Sequence, residues 1–239
     1  MDKKYILLEN DTITHNDRIF YRIKAVRDFG NVKAGDLGGY IEKEGNLSHK
    51  GNCWVGDTAL VCDKARLLDN AKAYGGACIS GNARVYGDSK ISGNALVCDK
   101  ARLLDNAQVS DNACVSGKAR VYGDSKISGN AYVSDNAHVS GNARVYGDST
   151  VSGNACVSDY VQVFDNACIS GNVCVTDYAR VFENARVLDN AQVSDNAWVS
   201  GNATVSGNVW VCNDACVFGN VCISGDMCVS GNTKVSGNL

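Results

Sequence analysis

The sequence predicts an all-β solenoid, on three observations: a repeat of six residues, the absence of proline and an abundance of glycine. The chain has 239 residues, of which 25 are glycine and none is proline. From Val55 onward it divides into 30 complete hexads and a remnant of five residues, and the frame never slips. A period of six is too short for a helix and its loop, so the repeats are expected to be short strands joined by bends.

The composition of the hexad explains how such a solenoid would build its core. Position one is Val, Ile or Leu in every hexad except at Ala73, and position five is mostly Ala. Because side chains alternate along a strand, positions five and one point inward and positions six and two point outward. Gly or Asp followed by Asn at positions three and four predicts a tight bend, because Gly and Asn tolerate positive φ. Proline would remove a hydrogen-bond donor from the strand ladder.

The N-terminal segment 1–54 does not follow the hexad. The segments YILLENDTIT and RIFYRIKAV alternate between apolar and polar residues enough to predict a β-hairpin. We therefore expect two domains, an N-terminal β-hairpin cap at 1–54 and a hexapeptide-repeat β-helix at 55–239. Such a cap would cover the unpaired strand groups of the first coil.

Two features of the sequence are shared with a known family. They are the pattern aliphatic-x-x-x-small-x of the repeats, and the N-terminal segments RDFG, VKAG, LGG, IE and GNLSHKGNCW. In both, the chain resembles the YdcK-type bacterial and phage hexapeptide-repeat proteins. The resemblance implies a left-handed parallel β-helix in which three hexads close one triangular coil, hence about ten coils of about 18 residues. It also implies a relation to the acyltransferase-like repeat superfamily.

Composition excludes several other classes. The formal net charge of −3 gives no bulk basic field. No apolar run approaches the roughly 18 residues of a membrane span, and the N-terminus lacks a signal-peptide pattern. The 12 cysteines include no C-x-x-C pair, so we expect reduced thiols, no metal and no cofactor. The expected location is the cytoplasm, which would be a host's cytoplasm if the chain is encoded by a phage.

Residues three hexads apart are expected to lie above one another, which assigns the outward side chains to three faces. On the first face we expect partner binding by Arg66, Arg84, Arg102, Arg120, Tyr86 and Tyr122. On the second face the candidates are Arg144, Tyr146, Phe164, Arg180, Phe182 and Trp198. The outward residues of the third face carry no charge over the seven coils from Leu60 to Ser170, and the candidates there for packing in a homo-oligomer, a dimer or a trimer, are Leu60, Cys78, Leu96, Cys114 and Tyr132.

Each of the first two faces also has a simpler interpretation. The arginines of the first face could be neutralised by acids at the neighbouring corner, namely Asp69, Asp88, Asp105 and Asp124. Alternatively, they could contact a nucleic acid or an anion, with the tyrosines stacking on bases, or anchor a protein partner. The aromatic residues of the second face could stabilise the solenoid by stacking on one another instead of binding a partner.

No catalytic residue is expected. The histidines are His15, His49 and His138, and no insertion interrupts the hexads as it does near the catalytic histidine of hexapeptide-repeat acyltransferases. His138 should adjoin Cys156 one coil away, which suggests a Cys–His nucleophile pair. A flat face would give that pair no pocket, orienting group or oxyanion hole. We therefore expect that the chain is not an enzyme.

The function predicted from the sequence is that of a rigid interaction or scaffold protein that binds a macromolecular partner through a side face. The partner is expected to be a protein, with nucleic acid as a weaker alternative and no membrane. Near-identical repeats are typical of phage or mobile-element genes, which suggests an inhibitor of a host nucleic-acid-processing or defence enzyme. The alternatives are a self-assembling structural β-helix and a degenerate hexapeptide acyltransferase.

Overall fold

The structure, a computed structural model, describes residues 3–237. It consists of two units that divide between residues 117 and 118. Among the described residues, helical structure is limited to one 3-10 turn, Glu44–Asn46. The remainder is strands and turns, as an all-β sequence without helical periodicity predicts.

The first unit begins with the predicted hairpin. Strand β1 (Tyr5–His15) pairs antiparallel with β2 (Arg18–Ala25). The turn between them places Asn16 and Asp17 at φ of 49° and 59°, which is the backbone of a two-residue hairpin turn. Strand β3 (Leu37–Ile41) is antiparallel to β2 and parallel to the first solenoid strand of the third face. The hairpin and β3 therefore extend that sheet, and β3 pairs its first solenoid strand.

The solenoid strands of the first unit pair in parallel with the strand three hexads away. On the first face they are Arg66–Leu67, Arg84–Val85 and Arg102–Leu103. On the second face they are Trp54–Val55, Lys72–Ala73, Lys90–Ile91 and Gln108–Val109. On the third face they are Leu60–Val61, Cys78–Ile79, Leu96–Val97 and Cys114–Val115.

The second unit repeats this arrangement. Its first-face strands are Arg120–Val121, His138–Val139, Cys156–Val157, Cys174–Val175, Gln192–Val193, Trp210–Val211 and Cys228–Val229. Its second-face strands are Lys126–Ile127, Arg144–Val145, Gln162–Val163, Arg180–Val181, Trp198–Val199, Cys216–Phe218 and Lys234–Ser236. Its third-face strands are Tyr132–Val133, Thr150–Val151, Cys168–Gly171, Arg186–Asp189, Thr204–Val205 and Cys222–Ile223.

The core of each unit is formed by positions one and five of the hexad. Val85 and Ala83 are fully buried in the first unit, as are Val163 and Val161 in the second. Outward neighbours such as Arg84 and Gln162 are exposed or half-buried. The predicted parallel β-solenoid, with three hexads to each turn, is therefore confirmed.

The bends differ in one detail from the expectation. Positive φ falls at position three of the hexad, on Gly87 (63°) and on Asp99 (57°), and not on the asparagines of position four. A position-four asparagine instead bonds its equivalent on the next turn, as Asn154 Nδ2–H does to Asn172 Oδ1 at 2.8 Å. The aspartates of position three gain a second bond, because the Asp99 carboxylate accepts the backbone N–H of Gly117 at 3.0 Å.

The predicted domain boundary after residue 54 stays a prediction. The two compact units divide within the repeats, between residues 117 and 118. None of the helical structure in residues 3–237 has the length or hydrophobicity that crossing a membrane requires.

Candidate functional sites on the solenoid faces

The first face of the first unit carries a cationic groove, defined here as Lys64, Arg66, Asn82, Arg84, Lys100 and Arg102. These residues line one cavity of about 320 Å³. The three arginines occupy position six of successive turns, and their strands pair in register, with Arg84 opposite both Arg66 and Arg102. The two lysines and Asn82 occupy position four, so five cations of three turns face one groove.

The charges of the groove are not neutralised by the corner acids in the way that one interpretation expected. In the part of the chain that the structure describes, no ion pair is found at Lys64, Arg66, Lys100 or Arg102, and the Arg84 guanidinium donates to the Tyr86 hydroxyl at 3.3 Å. The carboxylate of the corner residue Asp69 accepts the backbone N–H of Gly87 at 3.2 Å. This acid therefore supports the turn.

The first-face candidates of the second unit have a different setting. Arg120 lies opposite His138, and the ring of Tyr122 meets that of His138 edge to face at 6.4 Å between centroids. Burial, followed by the charge of Arg120, lowers the pKa of His138. His138 also lies opposite Cys156 in register, as expected, and Cys156 is followed by Cys174.

The hairpin covers part of the uncharged third face. Phe20 of β2 packs against Cys62 and Leu60, and Arg18 forms an ion pair with Asp63. The predicted oligomer residues Leu60, Cys78 and Leu96 consequently line a cavity of about 440 Å³ together with hairpin residues His15, Asn16, Arg18 and Phe20. Cys114 is half-buried, and Tyr132, in the second unit, is 42% exposed. Homo-oligomer packing on this face stays a prediction.

Two pairs of thiols lie on the third face of the first unit. Cys62 hydrogen-bonds Cys78, and Cys98 hydrogen-bonds Cys114, in each case across one turn of the solenoid. The Cys62 thiol also donates to Asp63 Oδ2 at 3.7 Å, so its one proton faces two acceptors; the hydrogen bond with Cys78 lowers the pKa of Cys78 to about 7 and raises that of Cys62. The equivalent hydrogen bond with Cys98 lowers the pKa of Cys114. All 12 cysteines are free thiols.

The second-face candidates form an aromatic ladder in the second unit. Tyr146 stacks on Phe164 with 5.1 Å between centroids and 4° between planes, and Phe164 stacks on Phe182 at 4.9 Å and 2°. Trp198 meets Phe182 edge to face at 6.4 Å, and the Arg180 guanidinium lies 5.5 Å from the Trp198 ring centroid. The rings of this column therefore stack on one another, as the self-stacking interpretation expects.

The other two histidines belong to the N-terminal structure. His15 ends β1 and lines the cavity under the hairpin. His49 stacks on Tyr5 at 4.3 Å between centroids, and its Nε2 lies 2.8 Å from Glu44 Oε1. Over residues 3–237, no group of three or more His, Cys, Asp or Glu side chains is arranged to hold a metal ion.

Comparison with known proteins agrees with this geometry. A family model described as YdcK β-solenoid repeat matches residues 107–124, 137–153 and 197–213. These three stretches of the chain resemble the YdcK β-solenoid repeat. A curated relative, "Uncharacterized acetyltransferase YdcK" of Escherichia coli (strain K12), is 38% identical over 80 residues. The match covers 34% of this chain and 21% of that relative, so it spans about a fifth of the relative's length.

Among solved structures, a UDP-N-acetylglucosamine acyltransferase of Francisella novicida aligns with 71% of this chain and 63% of its own. Its sequence identity is 16% and its TM-score is 0.31.

The YdcK relative corrects one expectation. From the sequence we expected that the chain is not an enzyme, because a flat face offered no pocket. A relative that is 38% identical over 80 residues is named an acetyltransferase, and this finding overturns the expectation. The physical premise was also incomplete, because the hairpin folds over the third face and encloses a cavity there. The chain is a β-solenoid repeat protein.

The comparison of stacked columns missed several residues that the structure brings together. Lys64 and Lys100 complete the cationic groove from position four, which was assigned only to the bend. Each thiol pair joins position two of one turn to position six of the next, whereas a column compares like positions. A diagonal comparison of positions two and six on successive turns could have found them.

Proposed function

We propose that the chain binds an acidic macromolecular partner through the cationic groove. The observation that supports this is the convergence of five cations from three turns on one cavity of about 320 Å³. Like charges on successive strands of a sheet repel one another, so their side-by-side placement costs stability in the free protein. A partner that brings carboxylates or phosphates to the groove would relieve that repulsion.

The form of the groove favours an extended acidic segment of a protein. Its guanidinium groups repeat at the strand spacing of roughly 4.8 Å, and each offers a planar fork that fits a carboxylate. Arg and Tyr are frequent anchors of protein interfaces, and Tyr86 lies beside Arg84. That the partner is a nucleic-acid-processing or defence enzyme of a host stays a prediction from the sequence.

Binding of a polyglutamate peptide, measured by calorimetry at several salt concentrations, tests this proposal. We expect Arg84→Glu combined with Arg102→Glu to weaken binding about tenfold or more, because two attractive contacts become repulsive. The salt dependence should also become shallower. The matched control is Arg144→Glu combined with Arg180→Glu, which makes the same change of net charge on exposed arginines of the second unit.

An equal loss in both double variants would mean that net charge drives the binding, and the groove would be rejected as the site. A single-stranded oligonucleotide of the same charge serves as a second probe. Tighter binding of that oligonucleotide than of polyglutamate would overturn the choice of a protein partner.

We propose acyl transfer as a second candidate function, because a relative that matches a third of this chain is named an acetyltransferase and the cavity beside the hairpin is lined by the thiol of Cys78. With a pKa of about 7, Cys78 is about half ionised at neutral pH, and the thiolate is the nucleophilic form. Cys62 donates a hydrogen bond to it, and His15 lines the same cavity.

The chemistry would proceed in two steps. The Cys78 thiolate attacks the carbonyl carbon of an acetyl thioester, and the thiolate of the donor leaves and takes up a proton. An amine or hydroxyl acceptor then attacks the acetylated sulfur's carbonyl carbon, loses a proton to solvent or to His15, and regenerates the Cys78 thiolate. Each step exchanges one acyl bond for another and requires no further reagent.

Mass spectrometry after incubation with an acetyl thioester tests the first step. We expect one acetyl group on Cys78, and none there in the Cys78→Ser variant. The control is Cys114→Ser, which removes the acceptor thiol of the second pair but leaves the cavity under the hairpin unchanged. Acetylation spread evenly over the exposed thiols Cys222 and Cys228 would instead indicate unselective chemistry and would overturn this candidate.

A further inference from the structure

The aromatic ladder of the second unit is interrupted at one turn. Its rings occupy position two of successive second-face hexads, where Tyr146, Phe164 and Phe182 stack nearly parallel about 5 Å apart. The next turn has Ser200 at this position, and the turn after that has Phe218. The strands that carry these residues continue to pair in register, with Trp198 opposite Cys216. The sheet is thus continuous where the ladder is not.

The interruption leaves a slot of the thickness of one ring. Phe182 and Phe218 are separated by two strand spacings, which is roughly 10 Å. A planar group between them would lie about 5 Å from each, the same distance that separates the rings within the ladder, and it would share the space beside Phe182 with Trp198, whose ring meets Phe182 edge to face at 6.4 Å between centroids. Phe182, Ser200 and Phe218 line one cavity of about 690 Å³ together with Trp198. Trp198 is 43% exposed and Phe218 is 39% exposed, so the rings are accessible.

One cation beside the slot is placed to meet an anionic group. The charged residues that line the cavity are Glu183 and Lys234. The Glu183 carboxylate accepts the backbone N–H of Gly201 and is therefore engaged in the turn. Within residues 3–237, no ion pair involves Lys234, and its side chain is exposed. The cavity also exceeds the size of a single aromatic ring, which leaves space for a polar substituent beside the base.

We propose that this slot, formed by Phe182, Ser200 and Phe218, binds a nucleotide whose base completes the aromatic ladder and whose phosphate meets Lys234. The base stacks between Phe182 and Phe218 in the place that a side-chain ring occupies on the other turns. Trp198 contacts the edge of the base. The proposal concerns a different face and unit from the cationic groove and from Cys78, so it does not depend on the proposed function.

Saturation-transfer NMR and calorimetry with adenosine monophosphate, adenosine and ribose 5-phosphate test the proposal. We expect the monophosphate to bind best, adenosine a few-fold more weakly, and ribose 5-phosphate not measurably. Ser200→Phe should fill the slot with a side-chain ring and weaken the monophosphate about tenfold or more, as expected for the loss of base stacking. Phe218→Ala should have a similar effect by removing one wall. Lys234→Ala should weaken the monophosphate but leave adenosine unchanged.

The matched control is Ser128→Phe, which adds a ring at the same hexad position on the other side of Tyr146 and leaves the slot open. Equal binding of the monophosphate to wild type and to Ser200→Phe would overturn the proposal, as would the failure of any of the aromatic probes to bind at millimolar concentration. A dimer that dissociates on Ser200→Phe and ignores the monophosphate would overturn it too, because an aromatic side chain of a second copy would then be the occupant.

Discussion

The two units share one backbone plan but carry different chemistry on their outer surfaces. In the first unit, residues 3–117, the first face carries the cationic groove. The third face of that unit bears two hydrogen-bonded thiol pairs, Cys62–Cys78 and Cys98–Cys114. In the second unit, residues 118–237, the second face bears an aromatic ladder and a cavity lined by Phe182, Trp198 and Phe218. The inward residues of both units are almost uniformly Val, Ile, Leu and Ala.

This difference shows which positions of the hexad the fold constrains. Positions one and five are buried, and position three needs a residue that tolerates positive φ. Positions two and six only have to pack beside the equivalent residues of the neighbouring turns. The fold therefore constrains the inward positions and the bend, while two outward columns on each face are open to charge, thiols or rings.

The largest effect on stability is expected at the buried core positions, which both units share. Val163→Asp places a carboxylate in a fully buried position with no partner, and we expect loss of several kcal/mol, enough to unfold the second unit. Gln162→Asp changes the adjacent outward residue, and its effect should be within about 0.5 kcal/mol. Chemical denaturation followed by circular dichroism measures both. Similar losses would show that the outward column is also essential for folding.

The aromatic ladder should contribute to the stability of the second unit. Phe164→Ala removes two stacking contacts, at 5.1 and 4.9 Å, and we expect a loss of about 1–3 kcal/mol beyond the change in buried area. Tyr178→Ala removes one contact, with Tyr160 at 5.0 Å, between residues that are both more than half exposed, and should cost less. Equal losses in the same denaturation experiment would contradict a ladder contribution.

The aspartates at position three of the hexad should stabilise the bends both through their carboxylate hydrogen bonds and through their tolerance of positive φ. Asp99→Ala removes a carboxylate bond to Gly117 N–H at 3.0 Å and leaves alanine at φ of 57°, so we expect a loss of about 1–2 kcal/mol. Asp99→Gly loses the same bond but tolerates the conformation, and it should be the more stable of the two variants. Thermal melts that rank Ala above Gly would refute the assignment of strain to this position.

The smallest effect on the fold, yet a specific one, concerns Cys78. Its pKa of about 7 lies below the ordinary value of a thiol, so the thiolate forms as the pH rises through 7 and the rate of alkylation rises with it. Above that pH the rate should level off. Cys62, whose pKa is raised by its donation to Cys78 and by burial, should stay unreactive. Peptide mapping after pulses of iodoacetamide from pH 5 to 9 measures both residues; a Cys78 rate that still climbs steeply near pH 9 contradicts the hydrogen bond.

The repeat made the fold predictable, because each hexad gives the same evidence about the same local structure. The hairpin was also predictable from the alternation of residues 5–25. Its docking over the third face was not, because it depends on contacts between Phe20 and Cys62 and between Arg18 and Asp63 that no local pattern encodes. The third face therefore looked open in the sequence while the structure covers Leu60, Cys78 and Leu96.

The candidate sites were predictable only in part. The comparison of residues three hexads apart correctly placed Arg66, Arg84 and Arg102 beside one another. The columns could not locate the acids that would neutralise them, since a carboxylate such as that of Asp69 can satisfy a backbone N–H instead of a guanidinium. The slot at Ser200 was visible as a gap in the column, but its meaning required the ring distances of the ladder.

The asparagine and aspartate bonds of the bends have a consequence for the evolution of chain length. Asn154 bonds Asn172, and Asn172 bonds Asn190, so each bend recognises only the equivalent bend one turn away. Insertion or deletion of one whole turn would leave such bonds with an Asn or Asp partner at the equivalent position and every column on its own face. A change of a single hexad would preserve the core but rotate all later columns by one face. Gene duplication can therefore lengthen such a molecule by whole turns. The segment VCDKARLLDNA occurs at Val61 and again at Val97, a separation of two turns.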